Sequence, residues 1–492
     1  MTLTDIGYSW SFWLTITAIA VDLIIRIVAL IVVPRNRRPG SAMAWLLAIF
    51  FIPYLGALLF LLIGSPRLGR KRRRKQQEIN QFIQDATKDI ELVPADGRWP
   101  KWLKQVVELN RALGALPIVG GNDAELLSDY DEIIRRIAAD VDKAKRYVHI
   151  EFYIFSTDAV TEPLFVAMEK AIKRGVKVRV LFDHVAGLRT VSYRATRRRL
   201  TSIGAEWELM LPFAPLQRKY ERPDLRNHRK LLVVDGVVGW MGSQNMIDST
   251  YLKKSNLKRG LHWRDAMVRL QGPIVRGLDV IFLTDWYSER DELLPIDEMP
   301  PANSHTTHAD FDCQIVPSGP GFPTENNLRL FLALLYAATD KIIITSPYFV
   351  PDEALMYAIT TATRRGVHVE LFVSEEGDQA LVHHAQRSYY EELLEGGVVI
   401  WLYKAPTILH SKHISIDNDV AVIGSSNMDM RSFSLNLEVS LMVRGKEFVR
   451  QMRGVEQQYR ENSRQLTSEQ WAKQPFFRTV LDGLARLTSA LQ

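Results

Sequence analysis

Two segments of the sequence repeat the same residue types, His-x-Lys followed five residues later by Asp. Each is followed by a Gly-Ser-x-Asn motif. Imidazole, ammonium and amide groups can attack, protonate and hold a phosphate group. Because the set occurs twice, the sequence predicts one active site that is built from two halves. The repeated residues are His228, Lys230, Asp235 and Asn245, and then His410, Lys412, Asp417 and Asn427.

Two such sets could together bind and cleave a phosphodiester. One neutral histidine would attack phosphorus, and the other, protonated, would give its proton to the leaving alkoxide, which leaves a covalent phosphohistidine. Histidine suits both roles because its ordinary pKa is about 6.5. The lysines would supply positive charge and the asparagines neutral donors to the non-bridging oxygens, so no metal ion is expected.

Each histidine needs a carboxylate that fixes its tautomer and orientation. Two candidates follow the motifs, Asp265 in the segment HWRDAMV and Glu438 in NLEVSLMV. Asp235 and Asp417 belong to the repeated set and are counted with the catalytic residues, although pairing within the fold is the favoured interpretation for both. The two histidines at 383–384 could line the cleft or face solvent.

Strand and helix patterns alternate in the same order around both motifs. The alternation predicts an α/β architecture with a mostly parallel sheet, in two halves related by a pseudo-twofold axis that sets the motif strands side by side. The boundary between the halves is expected at 295–310, where prolines break the pattern. The predicted elements are strand 147–155, helix 162–175 and strand 176–182, and then strand 341–350, helix 352–366 and strand 367–373.

The N-terminal region is apolar enough to enter a membrane. The runs 9–33 and 41–63 are each long enough, as helices, to cross the roughly 30 Å hydrocarbon core, and they predict a transmembrane hairpin. Seven positive charges lie between Arg67 and Lys75, against three in the turn 34–40. The positive-inside rule therefore places both termini in the cytoplasm. The same basic cluster is expected to bind anionic lipid rather than nucleic acid.

The composition is that of an ordinary globular protein. The 492 residues, 47% hydrophobic and 24% charged, are enough for two or three domains. Cys313 is the single cysteine, which excludes an intrachain disulfide and a cysteine-based metal cluster. The net charge of +6 is modest and unevenly distributed.

Four parts are expected along the chain. They are a transmembrane hairpin at 1–65, a basic helical linker at 66–120, a first α/β domain at 121–300 and a second at 301–492. The last part ends in an amphipathic helix, which could lie in the membrane interface or pack on the protein. The apolar residues that share one face of that helix are Phe476, Phe477, Val480, Leu481, Leu484 and Leu487.

These motifs resemble the paired HxKxxxxD motifs of the phospholipase D superfamily. The runs RNHRKLLVVDG and LHSKHISID, the segment TSPYFVPD, the tail MRSFSLNLE and the N-terminal apolar runs are similar to those of bacterial cardiolipin synthases. The resemblance covers nearly the whole chain. It implies two pseudo-twofold-related phospholipase D-type α/β/α domains preceded by a transmembrane helical hairpin.

The resemblance also implies a phosphatidyltransferase that converts two phosphatidylglycerol molecules into cardiolipin and glycerol without a cofactor. His228 would be the nucleophile and His410 the acid and base, although the pseudo-symmetry leaves the opposite assignment open. The implied partners are anionic phospholipid (phosphatidylglycerol) and the bilayer, with no nucleic acid and with a homo-oligomer left open. The implied location is the bacterial inner membrane, multi-pass, with cytoplasmic catalytic domains.

Three alternatives remain open from the residues alone. The chain could be another phospholipase D-type phospholipid transferase or hydrolase. It could be a membrane-tethered phosphodiesterase or nuclease. It could also be a catalytically inactive scaffold that binds lipid.

Overall fold

The computed structural model describes residues 10–35, 37, 39–64, 68–86, 99–214, 219–294, 311–322 and 324–488. The chain forms two compact units, Met1–Arg67 and Leu68–Gln492. The expected boundary at 295–310 lies outside the described residues. The division of the chain into four parts therefore stays a prediction.

The helices are numbered in chain order. They are α1 Trp10–Val32, α2 Pro39–Phe51, α3 Pro53–Ile63, α4 Arg70–Ala86, α5 Lys101–Gly114, α6 Tyr130–Asp142, α7 Glu162–Lys173, α8 His184–Leu188, α9 Tyr193–Ile203, α10 Lys254–Arg259, α11 Ile274–Arg290, α12 Asn326–Ala337, α13 Glu353–Arg364, α14 Ala380–Arg387, α15 Tyr390–Glu395, α16 Met430–Ser434, α17 Lys446–Glu461, α18 Ser468–Ala472 and α19 Phe476–Arg486.

The strands are numbered in the same way. They are β1 Val119–Leu127, β2 Tyr147–Phe152, β3 Lys177–Asp183, β4 Glu206–Met210, β5 Phe213–Ala214, β6 Lys219–Tyr220, β7 Arg226–Asn227, β8 Lys230–Val234, β9 Val238–Gly242, β10 His262–Arg264, β11 Met267–Gln271, β12 Phe311–Ser318, β13 Lys341–Thr345, β14 Phe349–Val350, β15 His368–Ser374, β16 Val399–Tyr403, β17 Thr407–Leu409, β18 His413–Ile416, β19 Val420–Gly424, β20 Met428–Asp429, β21 Asn436–Arg444 and β22 Ser463–Leu466.

The first unit holds one long apolar helix and two short ones. Helix α1 has 23 residues and is long and apolar enough to cross a bilayer. The second apolar run, predicted as another crossing, is divided at Pro53 into α2 and α3, of 13 and 11 residues. Proline lacks a backbone N–H and its ring clashes with the preceding turn, so the first of these helices ends there. Only one of the two predicted crossings is thus a single helix of spanning length.

Helices α2 and α3 fold back on each other. A Cβ atom at Gly56 would lie 2.6 Å from the carbonyl oxygen of Ala48, so the absence of a side chain there permits the close approach. The rings of Trp45 and Phe60 are 5.5 Å apart, and the guanidinium of Arg37 lies 4.7 Å from the centre of the Phe60 ring. The end of α3 therefore lies beside the beginning of α2.

One large sheet forms the centre of the second unit. Its order is β22-β16-β15-β13-β18-β19-β21-β12-β1-β11-β9-β8-β2-β3-β4, and β7 pairs with β21. Outward from the β12–β1 junction, the two halves follow the same sequence of equivalent strands. The predicted pseudo-twofold α/β fold is confirmed, and the helices and strands predicted around the motifs agree with the structure to within a few residues.

The sheet is mixed, not mostly parallel as predicted. Strands β2, β3 and β4 pair in parallel, as do β13, β15 and β16. The motif strands β8 and β18 instead pair antiparallel with both neighbours. The reason is local, because β8 and β9 are joined by a tight turn at Asp235-Gly236, where both residues have positive φ (53° and 69°). An Asp-Gly pair favours this hairpin geometry, which needs no helical crossover.

Both faces of the motif strands are buried. In β8, Leu231 and Val233 contribute to one apolar cluster, whereas Leu232 and Val234 contribute to another on the opposite face. A strand covered by helices on both faces must be apolar at every position, which explains the unbroken run LLVV. The polar motif residues at the beginning of such a strand are consequently surrounded by protein.

The C-terminal helix α19 packs through its polar side. The carboxylate of Asp482 is buried and lies 2.6 Å from the ring of His384 in α14. Phe476, Phe477 and Leu487 are 83%, 71% and 80% exposed. Most of the apolar residues that share one face of this helix are therefore exposed rather than packed on the protein.

The basic cluster at the start of α4 is partly used inside the second unit. Arg72 forms hydrogen bonds to Glu289 at 2.6 Å and 2.8 Å and to Glu221 at 2.8 Å. Lys75 is buried and forms an ion pair with Asp291. Part of the charge that the sequence assigned to lipid binding therefore holds α4 against α11.

Candidate active site

The two motif histidines lie where the halves meet. His228 follows β7, which pairs in parallel with β21 of the second half, and its N–H donates to the Leu437 carbonyl at 2.8 Å. His410 follows β17, which pairs in parallel with β10 of the first half, and its N–H donates to the Arg264 carbonyl at 2.7 Å. Each histidine is thus held by a strand of the opposite half.

The carboxylates pair across the halves as well. His410 Nδ1 lies 2.7 Å from Asp265 Oδ1, and His228 Nδ1 lies 3.0 Å from Glu438 Oε1. The sequence named both carboxylates as orienting groups, but each one orients the histidine of the other motif. An Nδ1–H that donates to a carboxylate leaves the lone pair on Nε2, which is the nitrogen that can attack or accept a proton.

The serines of the two Gly-Ser-x-Asn motifs hold these carboxylates. The Ser243 hydroxyl donates to Asp265 at 2.6 Å and accepts from the Ala266 N–H at 3.0 Å. The Ser425 hydroxyl donates to Glu438 at 2.5 Å and accepts from the Val439 N–H at 3.0 Å. In the sequence these serines were only markers of the repeat, although each precedes the carboxylate that it holds, by 22 residues in the first half and by 13 in the second.

The glycine before each serine allows neighbouring strands to come close. A Cβ atom at Gly242 would lie 2.4 Å from the Ala266 carbonyl oxygen, and one at Gly424 would lie 2.3 Å from that of Val439. Such distances exclude a side chain. The glycines therefore let the serine reach the carboxylate on the adjacent strand.

The two lysines are buried and equivalent. Lys230 Nζ donates to the His228 carbonyl and Lys412 Nζ to the His410 carbonyl, both at 2.5 Å. Burial lowers the pKa of Lys412 to about 8, against the opposing effects of Asp265 and Glu438. Burial also lowers the pKa of Lys230 well below its ordinary value. An anion placed between the lysines would raise both pKa values and stabilise the charged ammonium groups. The described residues contain no group of three or more His, Cys, Asp or Glu side chains arranged for a metal ion.

The asparagines are in different settings. Asn245 Nδ2 donates to the Tyr251 hydroxyl at 2.8 Å, and its Oδ1 accepts from the Ile154 N–H at 3.2 Å. Asn427 is buried, and its Oδ1 finds no hydrogen-bond partner within the described part of the chain. Asn245 is thus held at both ends of its amide, whereas Asn427 forms a side-chain hydrogen bond with Asp429 and its Oδ1 has no partner among the described residues.

The electrostatics of the two histidines differ. Burial lowers the pKa of His228 well below its ordinary value, and Lys230 and Lys412 add to this effect. Burial also lowers the pKa of His410, but Asp265 opposes the change. Burial raises the pKa of Glu438 to about 7. Burial acts in the same direction on Asp265, but His410, Lys412 and Ser243 together outweigh it and lower the pKa of this carboxyl to about 2. His410 therefore keeps a proton more readily than His228.

Tyr153 adds a second asymmetry, which the sequence analysis missed. Its ring meets the His228 ring edge to face at 4.9 Å, and Lys230 Nζ lies 5.3 Å from the ring centre. The pairing of Phe155 with Met246 in the first half corresponds to the pairing of Phe349 with Met428 in the second half. In this alignment Pro347 takes the position of Tyr153. Among the described residues, His228 thus has an aromatic neighbour at the position where the other half has a proline.

The aspartates of the HxKxxxxD repeat are not brought into the site. Asp235 accepts hydrogen bonds from the backbone N–H groups of Lys145, Arg146 and Tyr147 at 2.8–2.9 Å. Asp417 does the same for residues 339–341 at 2.8–3.3 Å. Both lie in hairpin turns at the far end of the motif strands, because five residues of extended chain separate them from the lysine. The structure thus does not bring these two aspartates to the histidines and lysines with which they were counted, and their contacts agree with the favoured interpretation of pairing within the fold.

Two symmetric α/β halves that each contribute a histidine and a lysine to a shared site define the phospholipase D class. The family model described as "Cardiolipin synthase, PLD-like domain" matches residues 137–286 and 331–458. A second, described as "Phospholipase_D-nuclease N-terminal", matches residues 24–65. The matched residues include both motifs, whereas helices α4 and α5 lie outside the matches.

Similar proteins agree with this class. Cardiolipin synthase A of Proteus mirabilis is 31% identical, over 93% of this chain and 94% of the relative. The enzyme of that name from Pectobacterium atrosepticum is 30% identical, over 98% and 97%. The crystal structure of phosphatidylserine synthase of Haemophilus influenzae has a TM-score of 0.59 at 14% identity and covers 79% of this chain and 100% of its own, which shows the common fold. The chain belongs to the cardiolipin synthase family.

Proposed function

We propose that the protein transfers a phosphatidyl group from one phosphatidylglycerol molecule to another and gives cardiolipin and glycerol. The crossed pairs His410–Asp265 and His228–Glu438 carry this proposal. Neither half has a complete histidine–carboxylate pair of its own, so the two motifs act as one site. Such a site has a nucleophile, an acid and two buried lysines for one phosphoryl group. The family membership supports the choice of phospholipid.

In the first step, neutral His228 attacks the phosphorus of the donor lipid through Nε2. The bond from phosphorus to the glycerol oxygen breaks, and protonated His410 gives its proton to that oxygen. Free glycerol leaves, and the phosphatidyl group remains on His228. Lys230 and Lys412 bind the non-bridging oxygens, where charge grows in the transition state. The lower pKa of His228 and the Asp265 partner of His410 support this assignment of roles.

In the second step, the terminal glycerol hydroxyl of another phosphatidylglycerol attacks the phosphohistidine. Neutral His410 takes the hydroxyl proton, the P–N bond breaks, and cardiolipin forms. One phosphodiester replaces another, so no nucleotide is needed as an energy source. Exclusion of water favours transfer over hydrolysis, and the burial of both histidines supports this outcome.

The proposed location is the bacterial inner membrane, with the catalytic unit on the cytoplasmic face. Helix α1 is the element that can cross the bilayer. The exposed apolar face of α19, with Phe476 and Phe477, is suited to the interface between headgroups and acyl chains. A site near this interface would receive its lipid substrates laterally and at high local concentration.

Product analysis with purified protein and defined lipids tests the proposed reaction. Phosphatidylglycerol alone should give cardiolipin and glycerol in equal amounts. Phosphatidic acid as the main product would show a hydrolase instead. Lipid-independent cleavage of nucleic acid would show a nuclease, and the absence of any turnover would favour the inactive scaffold.

A substrate with an activated leaving group tests the two histidine roles. A phosphatidyl ester of p-nitrophenol needs no proton to release its alcohol. His410→Ala should therefore still give a burst of nitrophenolate and a trapped phosphohistidine, whereas His228→Ala should give neither. The opposite result would exchange the two roles.

A further inference from the structure

A small pocket lies next to the second motif, in the second half. It lies at the carboxyl end of β15 and is lined by Tyr348, Asp378, His383 and Gln386. Ile408, two residues before His410, forms part of its wall. Ligands of α/β sheets commonly bind at the carboxyl ends of parallel strands. The mechanism above leaves this pocket unused.

The polar groups of the pocket are connected to one another and close to the catalytic centre. The Tyr348 hydroxyl donates to Asp378 Oδ1 at 2.8 Å and accepts from Gln379 Nε2 at 3.0 Å. Asp378 is near enough to raise the pKa of Lys412, in opposition to burial. Burial lowers the pKa of His383 to about 4, so its ring is neutral at neutral pH and can both donate and accept.

The pocket belongs to the half that carries His410. The alignment of the halves through Phe155 and Phe349 puts Ile154 where the second half has Tyr348. In the proposed reaction, His410 gives a proton to the departing glycerol and takes one from the attacking glycerol headgroup. By microscopic reversibility, these two chemically identical groups occupy the same place.

We propose that this pocket, with room for one hydroxyl-sized group, binds the unreacting hydroxyl next to the reacting one, of the leaving glycerol in the first step and of the acceptor headgroup in the second. Asp378 accepts a hydrogen bond from this hydroxyl, and His383 lies in the wall of the same pocket. The reacting hydroxyl then attacks the phosphohistidine, its proton passes to His410, and the P–N bond breaks. The proposal rests on the proposed function and names the group that selects glycerol over simpler alcohols.

Transfer to two soluble acceptors tests the subsite. Wild-type protein is given phosphatidylglycerol with either radiolabelled glycerol or methanol, and labelled phosphatidylglycerol and phosphatidylmethanol are measured. Asp378→Asn should raise the KM for glycerol by about tenfold, because a hydrogen bond to a charged group is lost. The KM for methanol, which has no second hydroxyl, should change less than twofold. Glu375→Gln, on the same loop but in an ion pair with Arg464, is the matched control.

Equal effects of Asp378→Asn on both acceptors, or no effect on either, would overturn the subsite. The proposed function fails separately, since in that case the wild-type protein would form no cardiolipin from phosphatidylglycerol alone.

A different observation, in the first unit, concerns the membrane segment. The Tyr54 hydroxyl, at the apex between α2 and α3, donates to the Ala18 carbonyl in the middle of α1 at 3.1 Å. At 1.5 Å for each residue, the 13 residues of α2 reach only about 20 Å, less than the roughly 30 Å of the hydrocarbon core. Arg37 and Phe60 lie side by side at the open end.

We infer that α2 and α3 form a re-entrant V that enters and leaves the bilayer at the same face. Helix α1 is then the crossing segment, so that Trp10 and Val32 lie at opposite faces of the bilayer. The sequence had predicted both termini on one face. The V puts Arg35 and Arg37 on the face where the chain leaves α3 towards the positive charges at 70–75. The positive-inside rule is then satisfied by every basic residue outside α1 in this region.

Single cysteines report the face of each segment. Cys313 is buried, so the native protein should give little background with a membrane-impermeant maleimide. In intact spheroplasts, Thr4→Cys should be labelled, whereas Arg35→Cys and Lys143→Cys should react only after the membrane is opened. Ile52→Cys, at the apex, should resist the reagent from both faces. Labelling of Arg35→Cys alone in intact spheroplasts would restore the two-crossing hairpin and overturn the inference.

Discussion

Replacement of Asp265 by asparagine should separate the role of His410 from that of His228. The carboxylate of Asp265 lies 2.7 Å from His410 Nδ1 and is fully buried. Asparagine keeps the volume but removes the charge. The variant should therefore fold, hold a neutral His410 ring, and lose the proton donor of the first step.

The magnitude follows from the electrostatics of the pair. The ordinary pKa of the aspartate is 3.8, and in the site it is about 2 despite burial. At 1.36 kcal/mol for each tenfold change in an ionisation constant, this difference corresponds to about 2 kcal/mol in favour of the charged carboxylate. His410 is the largest contributor among the groups that lower it. By reciprocity, loss of the charge should reduce the protonated fraction of His410, and with it kcat/KM, by about 30-fold.

The sign of the His410 pKa change predicts the direction in which the pH profile of kcat/KM moves. Asp265 raises the pKa of His410, so Asp265→Asn should lower that pKa. Activity in the first step needs protonated His410 and is lost as the pH rises through its pKa. The basic limb of the kcat/KM profile should thus move to lower pH.

The assay is cardiolipin formation in mixed micelles over a range of pH, with circular dichroism as the folding control. Glu438→Gln is the matched variant, because it removes the carboxylate from the other histidine. It should slow the reaction without the same movement of the basic limb. A folded Asp265→Asn variant with more than a third of wild-type activity and an unmoved limb would refute the reasoning.

Three further changes are predicted. Asp235→Ala removes three hydrogen bonds from backbone N–H groups and should lower the free energy of unfolding by about 3 kcal/mol. At low temperature, where the variant stays folded, kcat should remain within twofold of the wild-type value. A loss of turnover in the folded variant would return this residue to the catalytic set. Gly424→Ala places a Cβ atom 2.3 Å from the Val439 carbonyl oxygen. In the transfer assay kcat should therefore fall at least tenfold (roughly 1.4 kcal/mol), while the secondary structure persists. Unchanged activity would contradict the close packing. Phe476→Asp combined with Phe477→Asp should weaken sedimentation of the second unit with anionic vesicles, whereas equal binding would show that α19 does not touch the bilayer.

Much of this protein could be predicted from its sequence. The duplicated motifs, the order of helices and strands, and the long first helix all follow from local spacing and hydrophobicity, which neighbouring residues determine. The candidate residues from His228 to Glu438 were also identifiable as types with suitable chemistry. The Asp-Gly pair at 235 even carried a hairpin signal, which would have predicted an antiparallel motif strand and a structural aspartate.

The pairing of groups across the halves was decided only by the tertiary structure. Sequence spacing places Asp265 and Glu438 after their own motifs, but the strand exchange through β7 and β17 brings each to the opposite histidine. The fold of α2 on α3 and the pocket at Asp378 arise in the same way. Each depends on where segments distant in the chain pack, and burial, which decides the protonation of both histidines, is a property of that packing.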